Sequence, residues 1–247
     1  MEQSFLFFVL VGFAAQMVDG ALGMAYGVSA STILLSSGVP PVMASASVHA
    51  AEIFTTAVSG VSHWRLGNVD RELVKRLALP GVVGAISGAT VLTVVPGETI
   101  KPFVSGYLLL MGMWILIQAF KNQPRQPSVK HLGWLGLIGG FLDVSGGGGW
   151  GPVVTSTLVA NGNTPRSAIG SVSLSEFFVT AAASATFVLT IGLTYWQVIL
   201  GLALGGALAA PAAAHVCRRL PHRTLMVMVG LVIAGLSLRT LLAALAF

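Results

Sequence analysis

Asp143-Val144-Ser145-Gly146-Gly147-Gly148-Gly149-Trp150-Gly151-Pro152 interrupts a long apolar run with four consecutive glycines, an acid before them and an aromatic residue after. A quieter version lies earlier, at Asp19-Gly20-Ala21-Leu22-Gly23-Met24-Ala25-Tyr26-Gly27. Gly12 to Ser62 lies beneath Gly136 to Thr186 at an offset of 124 without a gap. Asp19 then falls on Asp143, Gly23 on Gly147, Tyr26 on Trp150, Gly27 on Gly151, Pro41 on Pro165, Ser47 on Ser171 and Glu52 on Glu176. Further along, the offset becomes 125 and pairs Pro96 with Pro221. Shared glycines could arise by chance. Two acids falling on two acids, in a chain with only eight, point to a duplication.

Each half reads as five apolar segments, near 4–18, 25–37, 41–63, 77–95 and 100–120, then 132–143, 150–160, 165–189, 195–216 and 224–246. The third to fifth of each half are long enough to cross roughly 30 Å of hydrocarbon at about 1.5 Å per residue. The first two are shorter and joined by the glycine-rich breaks. They either re-enter or span, as irregular backbone at that depth survives only inside protein or beside a wet cavity. The expected fold is therefore an all-α polytopic membrane protein of two inverted five-segment repeats. Residues 1–121 and 132–247 form the repeats, and 122–131 a cytoplasmic linker.

Composition leads the same way. Hydrophobic residues make up 55% of the chain and charged residues 9%, with a mean hydropathy of +0.86. A soluble domain carries about a quarter charged residues, so this surface suits lipid. The pI near 9.9 has no soluble basic face behind it, and no nucleic-acid partner is expected. The basic residues instead report topology. Arg65, Arg71, Lys75, Arg76, Lys121, Arg125, Lys130, Arg166, Arg218, Arg219 and Arg223 fall on one side of an inverted arrangement, leaving Lys101 and Arg239. The positive-inside rule makes that side cytoplasmic and puts both termini outside. Met1-Glu2-Gln3 lacks a basic n-region, so the first apolar stretch is read as a retained helix. The single cysteine, Cys217, excludes an internal disulfide and a multi-cysteine metal site. Neither a metal nor another cofactor is expected.

Four of the eight acids, Asp19, Glu52, Asp143 and Glu176, lie within apolar segments as two offset-related pairs. An ionised carboxylate there costs several kcal/mol, which favours a functional role. The aspartates are read either as ligands or as caps for the helices that follow them. Ser45, His49, Glu52, Thr56 and Ser59 recur at helical spacing on one face, and Ser173, Glu176 and Thr180 repeat it more thinly. A polar stripe must face protein or water. Gly146 to Gly149, followed by Gly151 and Pro152, would expose backbone N–H groups at a helix start, an arrangement suited to an anion. The same glycines could simply permit close crossing. The candidate substrate site comprises Asp19, Gly20, Gly23, Gly27, His49, Glu52, Asp143, Gly146, Gly147, Gly148, Gly151, Ser173 and Glu176. Glu52 and Glu176 are the proton-coupling candidates.

The Asp19-to-Gly27 run, the downstream Ser47-Val-His-Ala-Ala-Glu52 and their second-half echoes resemble the TauE/SafE sulfite exporter family over essentially the whole chain. That resemblance implies a transporter in a bacterial inner membrane that exports a small inorganic or organic sulfur anion, sulfite first. Proton-coupled uptake of an organosulfur anion and a cation carrier are the alternatives within transport. An intramembrane enzyme using Ser145 or a serine of the stripe as nucleophile, with His49 as base, is the alternative outside it, but it lacks a local motif. A homodimer in the bilayer is left open.

Overall fold

The computed structural model describes residues 4–22, 24–120, 131–155, 157–158, 161, 163, 165–192, 195–217 and 222–245. Among them every regular element is a helix. In order the elements are α1 (Phe5–Leu22), α2 (Tyr26–Ser36), α3 (Pro41–Arg65), α4 (Arg71–Val94), α5 (Gly97–Ala119) and α6 (Leu132–Gly146). They continue with α7, a wide π-type turn over Gly151–Thr155, then α8 (Pro165–Ile191), α9 (Trp196–Cys217) and α10 (His222–Leu245). Residues 121–130, nearly the whole expected linker, lie outside the described residues.

Arg71–Val94, Thr99–Ala119 and Ser167–Ile191 are long and apolar enough to cross a membrane. Helix α3 has 25 residues, but its polar stripe lowers its hydropathy. Leu189, Val94 and Phe103, exposed by 86%, 75% and 73%, mark outward faces that suit lipid.

Two boundaries differ from the hydropathy reading. Helix α4 starts at Arg71 rather than near residue 77, because Asp70 Oδ1 accepts the N–H groups of Glu72 (2.9 Å) and Leu73 (3.3 Å). That cap carries a charged but helix-competent first turn. Helix α1 runs through Asp19 to Leu22, 18 residues or about 27 Å, whereas α2 has 11. The first short pair is therefore unequal, and its break begins after the acid and not at it.

Small residues set how the helices pair. The most extensive contacts are α1 with α9, α4 with α6, α5 with α10, and α3 with α8. A Cβ on Gly84 would strike the Leu137 carbonyl, and one on Gly88 the Phe141 carbonyl, so α4 and α6 run parallel at backbone contact. Gly201 lies against Phe8, and Gly205 against Val9 and Phe13, giving α1 and α9 the same relation. Gly60 meets Leu174 while Ala46 and Phe187 share a wall, so α3 and α8 are antiparallel. Gly112 against Ala234 and Gly230 against Leu116 make α5 and α10 antiparallel too. In lipid such contacts gain van der Waals energy and lack a hydrophobic drive, so a methyl group on these faces separates the helices.

Candidate functional site

The two breaks meet at the centre of the bundle. Helix α6 ends with Gly147 in the left-handed region (φ 76°), and the N–H groups of Gly147 and Gly148 return to the Asp143 carbonyl, the latter at 2.6 Å. Gly148 (φ 131°) and Gly149 (φ 152°) continue in backbone conformations that essentially only glycine adopts. At the other break Ala25 is the one described non-glycine residue with positive φ (86°). Gly27 then packs on Gly148. A Cβ on Gly27 would lie 2.9 Å from the Gly148 Cα, and one on Gly148 would enter the Gly27–Val28 peptide. Gly151 faces Met24, whose Cβ lies 3.0 Å from where a side chain would begin. The two breaks cross backbone to backbone, so their glycines serve close approach and the Gly147 and Gly148 amides bond within their own turn.

Both aspartates sit in the last turn of one helix and reach across the break to the next. Asp143 Oδ1 accepts the Trp150 N–H at 2.9 Å, and the Asp19 carboxylate accepts the Tyr26 N–H, each seven residues on. The aromatic rings anchor the breaks outward. Tyr26 donates its hydroxyl to the Leu202 carbonyl of α9 (3.1 Å), and Trp150 Nε1 donates to the Val172 carbonyl of α8 (3.3 Å).

Helix α3 turns its stripe inward. Ser45, His49, Glu52 and Thr56 are buried, and Ser59 is half-buried. Glu52 accepts the Gly27 N–H and keeps Oε2 buried without a partner among the described residues. His49 Nε2 lies 3.2 Å from Asp143 Oδ2, and Ser45 Oγ donates to the Val144 carbonyl at 2.7 Å. Ser173 and Glu176 are half-buried on α8, and Glu176 lies within electrostatic reach of Asp19, Glu52 and Asp143. Gly20 belongs to the last turn of α1, and Gly23 lies outside the described residues.

The fold adds polar groups that the sequence reading omitted. Tyr107 of α5 covers the glycine run, its ring where a Gly146 side chain would begin and its hydroxyl where a Gly149 side chain would. Ser31 Oγ of α2 lies 2.8 Å from the Cβ position of Gly147. Ser31 Oγ, Tyr107 OH and Thr155 Oγ1 are all buried without a hydrogen-bond partner among the described residues. Ser31 and Thr155 are themselves related by the offset of 124, a hydroxyl falling on a hydroxyl that the alignment already contained.

A glycine-jointed helical bundle, apolar outside, with paired acids and unpartnered hydroxyls at its crossing, defines a membrane transporter in form. The family "Sulfite exporter TauE/SafE" matches residues 8–240, which bears out the resemblance read from the motifs. The chain belongs to the TauE/SafE family of membrane transporters. It is 42% identical to "Probable membrane transporter protein YtnM" of Bacillus subtilis (strain 168) over 245 residues, covering 95% of this chain and 82% of that protein. It is 24% identical to "Probable membrane transporter protein ORF9" of a Sinorhizobium species over 209 residues, 83% of this chain and 79% of the other. No solved structure matches it.

Proposed function

We propose that this transporter exports a small sulfur-containing anion, sulfite first, across the inner membrane from a site where the two breaks cross. The observation that carries this reading is the set of buried, unpartnered polar atoms beside the crossing, Ser31 Oγ, Tyr107 OH and Glu52 Oε2, with the buried Thr155 Oγ1 at the position that the offset relates to Ser31. A buried hydroxyl without a partner costs about 1–3 kcal/mol, a cost that a hydrogen-bonding ligand removes. Hydroxyls and a protonated glutamate can all donate to an anion. With the cell interior negative, the potential favours outward movement of an anion by about 2.3 kcal/mol per charge per 100 mV. Export therefore needs no second gradient.

The inverted repeat belongs to the same proposal. Helices α3 and α8 are related by the sequence offset and run antiparallel, as do α5 and α10. The α1–α9 pairing exchanges with α6–α4, the pattern that a two-fold axis in the membrane plane produces. In this arrangement the basic residues face the cytoplasm and both termini lie outside.

Counterflow of labelled sulfite in proteoliposomes tests the function. Trapped unlabelled sulfite should drive uptake of label, and thiosulfate or sulfoacetate should compete. Competition by divalent cations alone would replace the anion reading with a cation carrier.

A further inference from the structure

Around His49 the hydrogen bonds fix the count of protons. Ser45 Oγ has one hydrogen and gives it to the Val144 carbonyl at 2.7 Å. It can therefore only accept from His49 Nδ1, which lies 3.2 Å away. The Ser45 carbonyl, another acceptor, lies 2.8 Å from the same nitrogen. With two acceptors before it, Nδ1 carries a hydrogen. The second ring nitrogen, Nε2, then stands 3.2 Å from Asp143 Oδ2. A neutral ring beside an ionised carboxylate would bring two lone pairs together in a site where the two side chains are 0% and 3% exposed. A further proton must lie between them.

We infer that His49 and Asp143 form a proton-binding site that links α3 to the second break. The proton resides on Nε2, giving imidazolium and carboxylate, or on Oδ2, giving imidazole and carboxylic acid. Both forms are neutral overall and both keep the hydrogen bond. When the proton leaves, an imidazole and a carboxylate remain, the attraction between them is lost, and of this clamp only the Ser45 hydrogen bond still ties the break to α3. Asp143 also holds the Trp150 N–H, so release of the proton acts directly on the backbone at the crossing. Loss of the proton adds a negative charge there, which disfavours an anion. Proton and anion therefore bind together and move together.

The titratable groups around the pair are Glu52 on α3 itself, Glu176 of α8 and Tyr107 of α5, with Asp19 of α1 and Tyr26 of α2 next to Glu52. Helix α4 has none between Leu77 and Val94, α7 has none, and α9 has none before His215 in its last turn. Among the described residues these ionisable neighbours are acids or phenols, and none of them supplies a fixed positive charge in place of the proton. At the offset positions, Ile169 and Ser173 stand where Ser45 and His49 would be, so the first break lacks this device.

The proton site stands on this geometry, while its part in transport rests on the anion reading above. Nitrogen-15 NMR of histidine-labelled full-length protein in nanodiscs, with His49 assigned by His49→Gln, reads the ring. Infrared difference spectra against Asp143→Asn read the carboxyl group. At neutral pH we expect either a doubly protonated His49 or a neutral-carboxyl band that Asp143→Asn removes. A neutral His49 together with an ionised Asp143 would overturn the proposal. In sulfite-loaded proteoliposomes diluted into sulfite-free buffer with a pH dye, both variants should lose the proton movement that accompanies net sulfite efflux. A wild-type proton-to-sulfite ratio in either variant would also overturn it. If wild-type protein moves no sulfite, the anion reading fails, and the spectra still decide whether the pair holds its proton.

Discussion

The break after α1 and the break after α6 share an acid and an aromatic residue seven positions apart, joined by the same carboxylate-to-amide hydrogen bond. Their backbone conformation and their contacts with neighbouring helices differ. After α6, three consecutive residues have positive φ, and α3 holds both Asp143 and Val144 through His49 and Ser45. After α1 only Ala25 has positive φ among the described residues, and an aliphatic residue and a hydroxyl occupy the places of the clamp. Helix α3 thus holds the second break through Ser45 and His49 and the first through Glu52, which accepts the Gly27 N–H.

The sharpest way to break this contrast is at the crossing itself. Gly148→Ala needs a non-glycine residue at φ 131°, a strain of about 1–3 kcal/mol before the new methyl meets Gly27. Sulfite counterflow should vanish and Tm should fall. Gly27→Ala lies in helical backbone and escapes that strain, meeting Gly148 Cα at 2.9 Å and a Glu52 side chain that can yield, so partial counterflow should remain. Equal loss in both variants would mean that the joints are equally rigid.

A smaller difference is expected between the acids. A hydrogen bond to a charged group contributes about 1.5–3 kcal/mol. Asp143 makes two such contacts, while the Tyr26 N–H is the hydrogen bond shown for Asp19. Asp143→Asn should lower the counterflow rate by roughly tenfold or more, and Asp19→Asn by less. The reverse order would make the first break the critical joint.

The smallest effect belongs to the hydroxyls, where the halves should behave alike. Ser31→Ala and Thr155→Ala each remove a buried oxygen without a protein partner, so Tm should hold or rise. Each should weaken sulfite binding by about 1 kcal/mol, roughly fivefold in Kd. A fall in Tm with unchanged affinity would make these groups structural.

Much of this was legible because membrane helices obey strong local rules. Periodicity and glycine clusters put the helix bounds within a few residues of those observed. The exceptions have physical causes. Charged residues do not stop a helix that Asp70 has capped, so hydropathy misses the first turn of α4. Asp19 and Asp143 look like loop residues beside glycine, yet each is the last acid of a helix whose cap lies beyond it. The carboxylates and the α3 stripe were visible as polar residues in apolar segments. The pairing of His49 with Asp143, 94 residues apart, was not, because neither local spacing nor the offset relates them. Tyr107 was invisible for a similar reason. Its helix reads as aliphatic, and only the packing of α5 over the glycine run gives its hydroxyl a role.

Equilibrium binding of labelled sulfite to the purified protein tests the central claim, an anion site at the crossed breaks, most directly. Wild-type protein should bind saturably, thiosulfate should displace the label, and Gly148→Leu should lose binding. Gly235→Ala, changed on an exposed face of α10 with open space around it, should bind as wild type does. Sulfite binding that survives in a folded, monodisperse Gly148→Leu protein would contradict the claim and move the site away from the crossing.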